Sequence, residues 1–162
     1  MGYYGFGEDR AVRTTGLLLF ALSCLAAAAQ DCPPAKVKVT VLVILASEVG
    51  ETVHPQLTAI AAEVRIKNPK LKNFDLKSME GKSMAKDEKA EFTTVDGKKV
   101  KVVLKQCADK NNRVCLAVTA PDQGEIVYES ACGKFLPIVT RYQTKNNERL
   151  ILAISVKPCN GK

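Results

Sequence analysis

The chain has no tryptophan, a single histidine and only 6% aromatic residues. Stacking on single-stranded nucleic acid needs aromatic rings interleaved among basic side chains, so that mode of binding has little to work with here. The six cysteines include no C-x-x-C pair and no cluster with histidine, which argues against a zinc site or a thioredoxin-like redox centre. No glycine-rich phosphate loop, nucleophile elbow or H-E-x-x-H helix occurs, so no cofactor or metal is implied and the pattern argues against an enzyme. Internal repeats, low-complexity tracts and long blocks of like charge are also missing.

What is present begins at the start of the chain. Arg10 and Arg13 lead into an apolar run from Gly16 to Ala29, which ends in small residues before Gln30-Asp31. A basic lead, a short apolar core and small residues are what an export signal needs. Residues 1–30 are therefore expected to be a signal peptide, 31–36 a linker, and 37–159 a single domain in the periplasm or outside the cell. The apolar run falls short of the roughly 20 residues that cross a bilayer. The alternative is retention, as an anchor or through lipidation at Cys24, which would make a membrane-tethered envelope protein.

Glu8, Asp9, Arg10 and Arg13 cancel, so the net charge of +7 belongs entirely to the segment after residue 30. The lysines are scattered, and arginine occurs there only at 65, 113, 141 and 149. Scattered lysines read as a solubilising surface, with weak binding of an anionic cell-envelope polymer as the alternative. No specific nucleic-acid binding is expected.

Without Cys24, five cysteines remain: Cys32, Cys107, Cys115, Cys132 and Cys159. In an oxidising compartment they are disulfide candidates, and the odd number leaves one to stay free or to bridge a disulfide-linked homodimer. A tight hairpin with Lys110 to Asn112 at its tip would set Cys107 directly opposite Cys115, which predicts a structural disulfide between them, the alternative being two buried thiols that pack as small apolar residues. Cys132 with Cys159 would staple the last strands, and Cys32 with Cys159 would tie the termini. The sequence leaves both open.

The alternation of Val37, Val39, Val41 and Val43 predicts a strand over 37–46, half exposed at first and buried on both faces by Leu42 and Ile44. A helix is expected from about His54 to Asn68, with Pro55 in its first turn and Leu57, Ile60, Ala61 and Val64 on one stripe. Asn68-Pro69 ends it. Beyond Leu71 the pattern is β: a weak strand over 74–84 interrupted at Gly81, then strands over 91–95, 100–107, 114–120, 124–131, 134–144 and 149–157. Asp96-Gly97 is a strong hairpin signal. The expected fold class is α+β, one helix packed on a mainly antiparallel meander, as a sheet or partial β-sandwich.

His54, at the expected helix start, suits a capping role, and catalysis through it would need a partner such as Cys132 or Glu51. Glu125 and Glu129 share a strand face with Val127 and Ala131 in a solvent-facing row, and Asp87-Glu88 is a second acidic pair.

Two further stretches carry a resemblance. Leu45-Ala46-Ser47 with Gly50, Val53, Pro55 and Leu57, and Cys132-Gly133-Lys134-Phe135 with Pro137 to Tyr142, resemble uncharacterised exported proteins of planctomycete-type bacteria over most of residues 37–159. The resemblance implies an exported bacterial protein, and brings no activity or site. The reading is an exported, disulfide-stabilised, non-catalytic binding or structural domain of the cell envelope. The alternatives are the weak anionic-polymer binder and a thiol-dependent enzyme.

Overall fold

The structure, a computed structural model, describes residues 36–109 and 111–157. The expected signal peptide and linker, and Cys24, Cys32 and Cys159, lie outside the described residues. Strand β1 (Val37–Ser47) shows why the chain layers as it does. Its odd residues Val39, Val41, Val43 and Leu45 join one core cluster, and Leu42, Ile44 and Ala46 join a second on the opposite face. A strand apolar on both faces must be covered twice, and here a second sheet covers one face and a helix the other.

A 3-10 turn (Pro55–Leu57) runs into helix α1 (Thr58–Lys67). Leu57, Ile60, Ala61 and Val64 pack on Leu42, Ile44 and Ala46, so the stripe read from the sequence is the face that docks. Strands β2 (Asn73–Met84), β3 (Lys89–Thr93), β4 (Lys99–Gln106), β5 (Arg113–Thr119), β6 (Glu125–Ala131), β7 (Leu136–Gln143) and β8 (Arg149–Lys157) follow. They form two four-stranded antiparallel sheets, in the orders β2-β1-β8-β7 and β3-β4-β5-β6. The fold is α+β: a two-sheet sandwich with one helix outside the first sheet.

Two expectations need correction. Only β3 to β6 form a meander, because β1 and β8, each buried on both faces, sit side by side at the middle of the first sheet. Strand β2 is continuous through Gly81. A Cβ there would come within 2.6 Å of Lys38 Cε, so glycine leaves room for the lysine stem that crosses it. Asp96 and Gly97 do form the β3–β4 turn, with φ of +55° and +67°. Both lie in the left-handed region that a tight, right-twisted hairpin uses.

Tyr142 on β7 ties this turn to the first sheet. Its hydroxyl donates to Asp96 at 2.5 Å, and Lys98 lies 5.6 Å from its ring centre. Among the described residues no helix is long and apolar enough to cross a membrane.

Candidate functional site

The groove at one end of the first sheet is built by three connections. Ser47 ends β1 and accepts the Lys72 N–H at its carbonyl (2.9 Å), which brings the segment before β2 alongside. The β7–β8 turn forms the other wall. Within it Thr144 Oγ1 receives the N–H groups of Asn146 and Glu148, each at 3.3 Å, and donates to the Glu148 carboxylate at 3.3 Å. Asn147 takes a φ of +62°, which asparagine tolerates better than most residues.

The resulting open groove has a volume of about 560 Å³ and is lined by Ser47, Glu48, Gln143, Asn146, Glu148 and Arg149 above an apolar floor at Leu71. That volume is in the range of small-ligand sites. Hydroxyl and amide groups supply donors and acceptors, Glu48 and Glu148 two carboxylates, and Arg149 a guanidinium. Among the described residues none of these three charges is in an ion pair. Glu148 nevertheless adds to the field that raises the Lys77 pKa, whose larger cause is its hydrogen bond to Asp75.

His54 is the cap of the 3-10 turn. Its Nδ1 accepts the Gln56 N–H at 3.3 Å, and its backbone N–H donates to the Phe74 carbonyl at 3.0 Å. Cys132 is at the other end of the first sheet, where its Sγ is 3.3 Å from the Val156 carbonyl oxygen and Gly133 N–H donates to the same oxygen at 3.0 Å. The length of β8 separates the two ends, about 23 Å at 3.3 Å per residue. The two are not brought together, and no Cys132–His54 dyad is formed.

The expected Cys107–Cys115 disulfide is not made. Cys115 is a free thiol, whereas Cys107 and Cys132 are disulfide-bonded. The cause is a register shift. Asp109 pairs with Arg113 at the loop base as a tight hairpin requires, with Asp109 Oδ1 receiving the Asn111 and Arg113 N–H groups at 2.8 Å each. An irregularity between Leu104 and Gln106 then sets Gln106, not Cys107, opposite Cys115. Cys107 packs against the inter-sheet core while Cys115 takes the outer face of its sheet. The pairings proposed for Cys32 and Cys159 lie outside the described residues.

Cys115 borders a small hollow of about 60 Å³ with Gln106, Asp109, Arg113 and Glu129, where Arg113 and Glu129 are 3.5 Å apart. His54 is on the opposite side of the sandwich, so this thiol has no imidazole beside it. Glu125 and Glu129 do occupy the exposed face of β6. Asp87-Glu88 forms the β2–β3 turn, where Glu88 Oε2 accepts the Ala85 N–H at 2.7 Å. No group of three or more potential metal ligands occurs among the described residues.

The basic side chains are divided among all layers. Arg65 and Lys67 end the helix, Lys38, Lys77, Lys82 and Lys157 belong to the first sheet, and Lys89, Lys99 and Lys101 to the second. The groove was not legible from the sequence, because it joins residues about a hundred positions apart. No family model, curated protein or solved structure matches the chain.

Proposed function

We propose that this chain is an exported, disulfide-stabilised binding domain of the bacterial cell envelope, non-catalytic, with its ligand in the groove beside the β7–β8 turn. The observation that carries this reading is the groove itself, a concave site lined by hydroxyl, amide and charged groups. The histidine is engaged as a cap and two cysteines are engaged in disulfides, which leaves surface recognition as the function these side chains serve best. The oxidised cysteines fit a compartment in which disulfides persist.

The donor set favours a ligand with hydroxyl, amide, ammonium and carboxylate groups together. Peptide-bearing cell-wall saccharides have all four. Titrating the isotope-labelled protein with soluble cell-wall fragments is expected to shift amide resonances of Ser47, Asn146, Glu148 and Arg149, and Gln143→Ala is expected to weaken binding several-fold. The absence of shifts at these residues at millimolar fragment would overturn the reading.

A further inference from the structure

The outer face of the second sheet carries a charge pattern that is complementary to itself. Inward residues of β4 and β5, such as Val102, Leu104, Leu116 and Val118, are consumed by the core, so the alternate residues face out. Across the sheet, pairing aligns Lys101 with Thr119 and Glu125 in one row, and Val103 with Ala117 and Val127 in the next. A third row holds Gln106, Cys115 and Glu129. The middle row is apolar, with Val127 59% exposed, Val103 half-buried and Ala117 buried between them. The β4 side is basic and the β6 side acidic.

Neither Lys101 nor Glu125 is in an ion pair among the described residues; Lys101 lies opposite Glu91 and adds to the positive field that lowers its pKa, but the direct partner of Glu91 is Lys99 at 3.3 Å. The lysine and the glutamate thus stand on opposite sides of β5, in the row next to the apolar one.

We propose that this face binds the same face of a second copy about a twofold axis nearly parallel to β5. Such an axis lays β4 of each copy over β6 of the other, while β5 meets β5. Lys101 then faces Glu125 of the second copy and Val103 faces Val127, while the two β5 strands meet on the axis with Ala117 buried beneath their neighbours. Each contact occurs twice, as an isologous interface requires. Arg113 approaches its symmetry mate with its charge offset by its own Glu129. Cys115, a free thiol in the row beside Ala117, comes close to its counterpart across the axis. Packed sheets are about 10 Å apart, so the two sulfurs are within reach of a short cross-linker. The face is small beside the ~800 Å² per partner of stable interfaces, so the dimer is expected to form only at high protein concentration.

The test uses the full chain at physiological ionic strength, with sedimentation velocity up to millimolar protein and a short bis-maleimide as covalent trap. The wild type is expected to show a concentration-dependent dimer and a cross-link mapping to Cys115 on both chains, lost in Cys115→Ser. Lys101→Glu and Glu125→Lys are each expected to weaken dimerisation at least tenfold, because each places like charges face to face. Mixing these two folded variants is expected to restore a heterodimer, since each then supplies the charge the other lacks. Unchanged thermal melts show that both variants are folded. A wild type that stays monomeric throughout overturns the proposal. So does a dimer unaffected by Lys101→Glu, as pairing through the free β6 edge would give, or a mixture that fails to associate.

Discussion

Tyr142 and Asp96 form the clearest single-residue link between the two sheets. The hydrogen bond to the Asp96 carboxylate is the main reason the Tyr142 hydroxyl holds its proton above the ordinary tyrosine value of 10.0. Tyr128 is also raised, by burial alone. Since the folded-state value lies above the unfolded one, the stabilisation is fully present below pH 10 and is lost as pH rises through the folded value. Tyrosinate absorbance is expected to show late titration by both tyrosines, which falls by one group in Tyr142→Phe and keeps both groups, one of them nearer the ordinary value, in Asp96→Asn. Gly97 is a second residue with a defined cost. With a φ of +67°, Gly97→Ala is expected to destabilise by about 1 kcal/mol in urea unfolding, although its Cβ would touch nothing within 4 Å.

At the scale of elements, the helix is held by few residues. Leu57 is fully buried beneath it, and Leu57→Ala is expected to cost about 2–5 kcal/mol. Ile66, 81% exposed on the helix that follows, is expected to change stability by less than about 0.5 kcal/mol when replaced by alanine. Denaturant unfolding of the two variants separates the docked face from the free one. Periodicity made the helix stripe and most strands legible, because each is a local pattern of two or 3.6 residues. It did not reveal that β1 and β8 are neighbours, since a strand apolar on both faces shows that it is covered but not by which partner. The Cys107–Cys115 expectation failed for a related reason. Counting outward from the turn assumes an unbroken register, and the irregularity between Leu104 and Gln106 has no signature in the residues that form it.

On the scale of the whole molecule, the two surfaces proposed for recognition are the groove beside the β7–β8 turn and the outer face of the second sheet. The groove was hidden in the sequence because β1 and β7–β8 meet only after the last strand inserts beside the first. The cell-wall ligand proposed for it requires the chain to reach an oxidising space outside the cytoplasm. Differential alkylation with N-terminal sequencing, on protein recovered from the envelope or medium of an expressing bacterium, tests this directly. The expected product begins near Asp31, with Cys115 alkylated in the unreduced protein, and Cys107 and Cys132 labelled only after reduction. A cytosolic protein that keeps residues 1–30, with Cys107 and Cys132 labelled before reduction, would contradict it.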